Sequence, residues 1–505
     1  MLGTLSLFLH PRVITMLFLG FSAGVPILLI FSTLGLWLNE AGVAKSTITY
    51  FSWAALGYSF KFVWAPLVDR LPLPLLTAML GRRRAWLLVS QLAIILAIFI
   101  MSSVDPKSGI DSLELMAYGA VLLGFSSATQ DIVIDAYRIE SAEKKMQSML
   151  SATYIAGYRL GMLVAGAGAL FIASYFGSTK GAYQFEAWSN TYMLMALVML
   201  IGVITTISIR EPDSTRDSED TYSTKDYARF FALFLAIVAS FIASFNLLST
   251  PIADLKVYLT DAFGNRNLAG FFSGTLRMLG ALTGAYLASR LLIGLRLVNR
   301  SMVDQTYVDP VRDFFNRYGA RVAWLLLAVI GLYRISDIVL GVVANIFYQD
   351  LGFSKEEIAF VSKTFGLFMT IAGGFIGGVV AMRIGVYKVL LLGALLSALT
   401  NLLFVVLANI GNDINWLYVT ITMDNLSGGL AGAAFIAFLS ALTNVKFTAV
   451  QYAVFSSLMT LIPKAFGGYS GSIVEAIGYG EFFILTTVIG LPILYLVYKT
   501  KAYIQ

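Results

Sequence analysis

Long apolar segments recur along the whole chain of 505 residues. About 14 of them reach the ~20 residues that a helix needs to cross the hydrocarbon core of a bilayer. Hydrophobic residues make up 58% of the sequence and charged residues 13%, which is too little charge to cover a soluble protein of this size. The sequence therefore predicts an all-α, polytopic membrane protein. The predicted spans are 12–38, 47–68, 84–104, 113–139, 147–175, 188–209, 227–250, 267–292, 321–348, 355–382, 386–408, 414–442, 447–472 and 481–499.

Lysine and arginine are unevenly distributed between the two predicted membrane faces. Outside the spans, about four times as many lie on one face as on the other. Because basic loops mark the cytoplasmic side, we expect both termini to be cytoplasmic. The net charge of +6 follows from this topology and does not indicate binding to nucleic acid.

Two polar, charge-rich segments, 210–227 and 299–319, divide the spans into groups of six, two and six. We expect an N-terminal six-helix bundle (1–211), linkers with an inserted two-helix hairpin (212–318) and a C-terminal six-helix bundle (319–505). An arginine lies in the turn between the second and third helices of each bundle, Arg70 and Arg383. Duplicated bundles with a central site are typical of transporters.

Several kinds of chemistry are absent from the sequence. It has no cysteine and a single histidine, His10, ahead of the first span. Thiol nucleophiles, Cys-based metal sites and His-based catalytic relays are therefore excluded. We find no phosphate-binding glycine loop. We expect neither an enzyme nor a bound cofactor or metal, and uphill transport would draw on an ion gradient.

Charged residues lie inside the predicted spans, where each costs about 2.5–3.5 kcal/mol. Simple ion pairing explains some of them, and Arg334 with Asp337, three residues apart on one helix, fits that interpretation. Four deep cations nevertheless outnumber three deep acids, which favours an anionic solute. The cations are Lys61, Arg159, Arg334 and Lys363, and the acids are Asp131, Asp337 and Asp424.

Aromatic and amide side chains lie next to these cations in the sequence. Tyr58 and Trp64 flank Lys61, and Tyr158 precedes Arg159. Packing against lipid or the protein core explains such rings, and stacking on sugar faces is the functional alternative. We add Asn425, beside Asp424, to the candidate substrate contacts.

The stretch "ATQDIVIDAYR" (128–138) places Asp131 and Asp135 on one helix face, where two negative charges repel each other. Counting about 20 residues from Leu115 places Asp135 at the cytoplasmic edge, beside Arg138. Asp131 lies one turn deeper, where burial favours a neutral carboxyl that takes up and releases a proton. Asp337 and Asp424 are the next candidates for proton coupling. Gln130 is a candidate contact for a sugar hydroxyl, with helix packing as the alternative.

Several stretches resemble the AmpG muropeptide permease family, a branch of the major facilitator superfamily. They include "LGFSAGVPILL" (19–29), "FKFVWAPLVDR" (60–70), "SATQDIVIDAY" (127–137), "GYRLGMLVAG" (157–166) and "DNLSGG" (424–429). The resemblance covers both six-helix halves and is weakest between about 212 and 318. It implies a major facilitator fold with two inserted helices.

The resemblance also implies proton-driven import across the inner membrane of a Gram-negative bacterium. The solutes would be N-acetylglucosaminyl-1,6-anhydro-N-acetylmuramic acid and its peptide-bearing forms, which feed cell-wall recycling and, in some species, β-lactamase induction. A cytoplasmic gate is implied by the superfamily's loop motif. The gate candidates are Asp69, Arg70, Arg82, Arg83, Arg84 and Asp135, the last as the acid that latches the loop.

Two alternatives to muropeptide import remain. Relatives of this branch carry other anionic or amphipathic solutes, such as acyl-coenzyme A or tetrapyrroles. A membrane-embedded assembly factor or receptor without transport activity is the other alternative, and neutralising the deep charges would leave it unaffected.

Overall fold

A computed structural model describes residues 10–43, 51, 58, 60–143, 146–178, 182–212, 222–264, 266–353, 357–467 and 470–503. Helices dominate this part of the chain, and 13 of them are long and apolar enough to cross a membrane. The predicted all-α membrane fold is confirmed. The predicted span 47–68 lies largely outside the described residues, and its described part consists of a 3₁₀ turn, Lys61–Val63, and the short helix that follows it.

The first half of the chain contains the helices α1 to α10. Their bounds are α1 Pro11–Ile30, α2 Ser32–Glu40, α3 Ala65–Arg70, α4 Leu76–Leu80, α5 Arg82–Ser102, α6 Ile110–Glu140, α7 Gln147–Leu163, α8 Ala169–Tyr175, α9 Phe185–Val198 and α10 Leu200–Ser208. A wide helical turn, Val164–Gly168, joins α7 to α8, so that the pair crosses the membrane together.

An inserted unit, Thr215–Asp313, forms a compact body of its own. Its helices are α11 Thr224–Leu247, α12 Ser249–Phe263, α13 Arg266–Gly294 and α14 Arg300–Val303; α15 Asp309–Tyr318 then leads out of it. Helices α11 and α13 contain the two predicted spans of the hairpin. The Arg277 guanidinium donates a 2.9 Å hydrogen bond to the Phe245 carbonyl and lies over that ring, so its charge is accommodated within the unit.

The predicted second linker, 299–319, is mostly helical. Apolar residues recur along α15 at helical spacing, which gives one apolar face in a polar sequence. Phe314 is buried against Phe455, with ring centroids 5.2 Å apart. The unpredicted helix α12 likewise escapes a hydropathy search, because it mixes apolar residues with Asp254, Lys256 and Asp261.

The second half of the chain contains the helices α16 to α23. Their bounds are α16 Ala320–Leu332, α17 Ile335–Asp350, α18 Gly366–Ile384, α19 Val386–Ile410, α20 Ile414–Leu442, α21 Thr448–Gly467, α22 Ser470–Ile477 and α23 Tyr479–Lys499. A wide turn, Ile358–Phe365, precedes α18 and carries Lys363. Both halves belong to the larger compact unit of the chain, Met1–Ser214 with Phe314–Gln505.

The two halves share a turn. Gly81 precedes α5 with a φ of 84°, and Gly385 precedes α19 with a φ of 89°. This left-handed conformation is one that glycine adopts without strain. The third helix of each half therefore begins after a glycine in the same conformation.

Glycines bring α1 and α7 into backbone contact. A Cβ on Gly24 would overlap the Tyr158 carbonyl oxygen, and a Cβ on Gly157 would overlap that of Leu17. Gly20 and Gly161 face the partner backbone in the same way, one turn away on each helix. Small residues at four-residue spacing allow such close crossings between membrane helices. These four glycines form a seam, here called the α1–α7 seam, that fixes the first half internally.

The two halves meet at one end of the bundle. Helix α21 packs against α3 and α6, and α18 packs against α7. We call this the basic end, because Arg70, Arg82, Arg83, Arg84 and Arg138 lie there, where α3 and α6 end and α5 begins.

Candidate functional site

A cavity of about 710 Å³ lies between the two halves and is lined by both of them. Most of the residues predicted as substrate contacts or proton sites line it. They are Tyr58, Lys61, Asp131, Tyr158, Arg159, Arg334, Asp337, Lys363, Asp424 and Asn425. Residues up to about 370 positions apart in the chain thus converge on one space, as duplicated transporter bundles require.

Two ion pairs lie in the cavity wall, one in each half. Lys61 Nζ lies 3.6 Å from Asp135 Oδ2, and both side chains are buried. Arg334 Nε lies 3.1 Å from Asp337 Oδ2, three residues on. The predicted pairing of Arg334 with Asp337 is therefore confirmed, and the charges of these four residues are largely neutralised locally.

The other ionisable side chains of the wall have no opposite charge within 4.0 Å among the described residues. Arg159 donates to the Met162 sulfur over 3.9 Å, and neither Arg159 nor Lys363 forms an ion pair with a described residue. Asp131 and Asp424 likewise form none, and Asp131 Oδ1 is buried without a hydrogen-bond partner. Two free cations and two free acids therefore face the same cavity.

The structure corrects the predicted excess of positive charge. Asp135 lines the cavity too, so the described lining holds four cations and four acids. The empty cavity is thus balanced when all eight groups are ionised. An excess of positive charge arises only when acids of the wall bind protons.

Trp64 and Gln130, both predicted substrate contacts, lie outside the described cavity lining. The Trp64 indole N–H donates to the Thr129 hydroxyl over 3.1 Å. Gln130 is fully buried, accepts a 2.8 Å hydrogen bond from the Ser22 hydroxyl and donates to the Ser22 carbonyl. Both side chains therefore connect one part of the first half to another. Gln130 points away from the cavity although Asp131 lines it, because neighbouring positions on a helix point about 100° apart.

Sequence reasoning missed several tyrosines of the wall. Tyr154, Tyr348 and Tyr452 line the cavity with Tyr58 and Tyr158. Tyr154 could have been found, because it precedes Tyr158 by four residues and so shares its helix face. The stretch "YIAGYR" therefore supplies two rings and the free Arg159 from one helix.

Arg83 is the centre of a buried charge cluster at the basic end. Its Nη2 lies 2.8 Å from Asp69 Oδ1 and 2.6 Å from Glu140 Oε1. The same nitrogen donates to Thr448 Oγ1 of the second half over 3.2 Å, and Thr448 also donates to Glu140. This cluster closes the basic end and contains two of the predicted gate residues, Asp69 and Arg83.

Asp135 does not latch the arginine loop, contrary to prediction. It binds Lys61 and Arg138, and Glu140 pairs with Arg83 in its place. The reason is the length of α6, which runs for 31 residues and reaches the basic end only at Glu140. The stretch "DAYRIE" offered this second acid at its last position.

Arg138 connects the cavity wall to the interface between the two halves. Its guanidinium is fully buried and lies 3.3 Å from Asp135 Oδ1. It donates a 2.7 Å hydrogen bond to the Ser440 hydroxyl of the second half and lies 5.1 Å from the centre of the Tyr452 ring. One side chain thus contacts an acid of the cavity wall and two residues of the opposite half.

The remaining gate candidates, Arg70, Arg82 and Arg84, form no contact with the second half among the described hydrogen bonds and ion pairs. Arg84 donates to the carbonyls of Thr206 and Ile207. Glu211 accepts hydrogen bonds from the backbone N–H groups of Arg83 and Arg84 at the start of α5. Burial raises the pKa of the Glu211 carboxyl, and those two donors act in the opposite direction. Arg70 and Arg82 are half-buried and form no ion pair with described residues.

Comparison with known proteins identifies the fold. The family model of the Major Facilitator Superfamily matches residues 13–303 and 317–503. The chain belongs to the major facilitator superfamily. Among curated relatives, this facilitator is 30% identical over 490 residues to the "Putative transporter AmpG 4" of Rickettsia conorii, covering 97% of this chain and 96% of that protein.

The anhydromuropeptide permease of Escherichia coli K12 is 28% identical to this facilitator over 489 residues, covering 97% of this chain and 79% of that protein. The resemblance to AmpG-type permeases is confirmed by these two relatives. Since both are named as a transporter or permease, the facilitator is a multi-pass membrane transporter and not an enzyme.

Solved structures share the fold at low sequence identity. The proton:xylose symporter XylE bound to 6-bromo-6-deoxy-D-glucose matches with a TM-score of 0.60 at 12% identity, covering 98% of this chain and 96% of that one. The human organic anion transporter MFSD10 matches with a TM-score of 0.55, also at 12% identity, covering 96% of this chain and 99% of that one. At this identity the likeness concerns the major facilitator fold alone.

Proposed function

We propose that this transporter carries anhydromuropeptides, that is, GlcNAc-1,6-anhydroMurNAc with or without a stem peptide, from the periplasm to the cytoplasm together with protons. Its location would be the inner membrane of a Gram-negative bacterium. The name of the Escherichia coli relative supports the substrate class. The product would feed cell-wall recycling.

The observation that carries the proposal is the cavity shared by the two halves. It combines two free cations, Arg159 and Lys363, with a wall of tyrosines. Anhydromuropeptides combine carboxylates with sugar rings. Guanidinium and ammonium groups bind carboxylates through charge-assisted hydrogen bonds, and phenol rings present flat faces and hydroxyls to a sugar.

Proton coupling follows from the charge balance of the wall. An anion that binds Arg159 or Lys363 would leave the cavity with an excess of negative charge, which is unfavourable away from bulk water. A proton on Asp131 or Asp424 removes that excess. Solute and proton therefore favour each other's binding, which is the requirement for symport.

The direction of transport rests on the assignment of the basic end to the cytoplasm. With that assignment, the clusters around Arg83 and Arg138 close the cytoplasmic side, and the cavity receives solute from the periplasmic side. Protonation and solute binding would then be followed by opening of the basic end. The ion pairs at that end are buried but few, so a modest free-energy change can shift the equilibrium.

Uptake into right-side-out vesicles tests the proposal. Labelled GlcNAc-anhydroMurNAc-tripeptide should accumulate when the outside is acidified, and a protonophore should abolish accumulation. Arg159→Gln should strongly reduce uptake. Arg277→Gln, which alters an intramembrane arginine of the inserted unit, is the matched control and should retain it.

Competition distinguishes the alternatives. An excess of unlabelled disaccharide should block uptake, whereas acyl-coenzyme A and a tetrapyrrole should not. If only acyl-coenzyme A or only the tetrapyrrole inhibited uptake, the inhibiting compound would indicate the substrate class. Vesicles that hold the folded protein and show no uptake of any of these solutes would favour a receptor or assembly factor.

A further inference from the structure

Each half of the transporter contributes the same set of charges to the cavity. The set consists of one ion pair, one free cation and one free acid. In the first half these are Lys61–Asp135, Arg159 and Asp131; in the second half they are Arg334–Asp337, Lys363 and Asp424. The described lining contains no other lysine, arginine, aspartate or glutamate.

The free acids of the two sets lie on corresponding helices, the fourth span of each half, whereas the free cations lie on different spans. Lys363 lies on the wide turn before α18, whereas Arg159 lies near the end of α7, and the two acids lie on α6 and α20. Helix duplication therefore accounts for the placement of the two acids but not for that of the two free cations.

The two free cations are separate poles of the cavity. Arg159 is near enough to Arg334, across the gap between the halves, for their charges to repel. Lys363, in contrast, has no charged side chain close to it among the described residues, lines the cavity and is exposed. An anionic group on Arg159 therefore leaves Lys363 unsatisfied, and a solute that satisfies both cations needs two anionic groups.

The two free acids are separate as well. Asp131 interacts electrostatically with Lys61 and Asp135, which belong to the first half. Asp424 interacts with Arg334 and Asp337, which belong to the second half. Asp135 and Asp337 each lie within 4.0 Å of a cation, so Asp131 and Asp424 remain as the acids of the wall without an ion-pair partner among the described residues. A proton on either of them would offset the charge of a bound anion.

We propose that the cavity is a two-pole site for a solute with two separate anionic groups, one bound to Arg159 and one to Lys363, and that two protons accompany it, one on Asp131 and one on Asp424. This proposal rests on the proposed muropeptide transport and specifies its substrate class and its proton stoichiometry. The charge balance closes, because two negative groups and two protons enter a cavity that is balanced when empty. Solutes with one anionic group would bind one pole and recruit one proton.

A matched pair of solutes tests the two poles. One is the disaccharide carrying L-Ala-D-Glu, which has two carboxylates, and the other is its analogue with one of these converted to an amide. Purified protein in proteoliposomes, with the membrane potential clamped at zero, gives the accumulation ratio of each solute as a function of the imposed pH difference. The slope of log accumulation against that difference is the number of coupled protons.

For the wild type we expect a slope of about two with the dicarboxylate and about one with the amide analogue. Asp424→Asn should lower the slope with the dicarboxylate to about one, while exchange of labelled for unlabelled solute continues. A slope of about one for the wild type with the dicarboxylate would refute the coupling of a second proton. This measurement uses the wild-type protein alone. An unchanged slope in Asp424→Asn would refute the assignment of the second proton to Asp424.

Half-saturation concentrations test the anion contacts. The wild type should prefer the dicarboxylate to the amide analogue by about tenfold, equivalent to about 1.4 kcal/mol. Lys363→Gln should remove that preference, whereas Lys388→Gln, a lysine outside the cavity lining, should retain it. A preference that survives Lys363→Gln overturns the second pole. Absence of uptake of both muropeptides would instead refute the proposed function, which keeps the two failures distinct.

Discussion

Arg83 of the first half donates a hydrogen bond to the Thr448 hydroxyl of the second half, 3.2 Å away. The same guanidinium pairs with Asp69 and Glu140, so one side chain both completes a buried charge cluster and joins the halves. Arg83 and Arg138 are therefore two buried arginines that join the halves near the basic end.

Arg83→Gln should open the basic end. Removing one partner of a buried ion pair costs about 3–5 kcal/mol, because the other charge stays buried without compensation. The chain has no cysteine, so Ser148→Cys, in the seam between α7 and α18, is a unique reporter. We expect maleimide to label this cysteine faster in the Arg83→Gln background.

Arg84→Gln is the control for that measurement, since the Arg84 guanidinium donates to carbonyls of its own half. It should leave the labelling rate close to that of the reporter alone. Equal acceleration by both substitutions would mean that the first half has lost its structure, and that the link to Thr448 is not the cause.

Asp131→Asn should lower the number of protons coupled to the dicarboxylate from about two to about one and leave exchange of solute intact, because a neutral amide mimics the protonated carboxyl. Asp135→Asn should slow both processes, because it leaves Lys61 and Arg138 buried without their shared acid. Uptake into vesicles measures accumulation, and efflux into unlabelled solute measures exchange. Accumulation by Asp131→Asn with an unchanged number of coupled protons would exclude Asp131 as a coupling site.

Gln130→Leu should lower stability and leave solute affinity unchanged. The substitution removes both hydrogen bonds to Ser22 and leaves the buried serine hydroxyl unpaired, at a cost of about 1–3 kcal/mol. Thermal unfolding of the purified protein measures the loss. In the double variant with Ser22→Ala the two losses should be less than additive, and a raised half-saturation concentration would return Gln130 to the substrate site.

Gly24→Ala should be poorly tolerated, because the new methyl group would overlap the Tyr158 carbonyl oxygen and force α1 away from α7. Overpacking of this kind costs about 1–3 kcal/mol. Gly428→Ala is the control, since no atom lies within 4 Å of its added Cβ. Folded yield in detergent compares the two, and equal yields would argue against a tight α1–α7 seam.

The stability of the protein should depend on pH through Glu211. Its pKa is raised in the folded protein, so the folded state holds the proton over a range where the unfolded chain has released it. The resulting stabilisation is complete below the unfolded pKa and is lost as the pH rises through the folded one. The Tm of the wild type relative to Glu211→Gln should therefore fall as the pH rises above 4.5, the ordinary pKa of a glutamate. A difference that grows with pH would contradict this assignment.

Hydropathy is enough to predict the 13 spans found among the described residues, because a helix that faces lipid must be apolar over its whole length. It could not predict α12 or α15, which are helices with mixed surfaces. The predicted site residues converge for a related reason: a charge within a span is expensive, so almost every one marks the cavity or an ion pair.

The errors in the site concern orientation and length. Gln130 is adjacent to Asp131 in sequence, yet it points to α1 and not to the cavity. Asp135 was placed at the membrane edge by counting 20 residues, whereas α6 is 31 residues long and carries Asp135 inside the protein. Helix tilt, extension beyond the membrane and rotation are set by packing, which a single sequence does not specify.

The α1–α7 seam has a mechanical consequence. Backbones in direct contact have no flexible side chains between them to absorb a displacement, so α1 and α7 must move as one stiff lever. The contacts of Arg83 with Thr448 and of Arg138 with Ser440, in contrast, are made by long side chains and break without deforming a helix. A conformational change is therefore expected to occur at the boundary between the halves and not between α1 and α7. Tyr158 and Arg159, which lie on α7, would move together with α1.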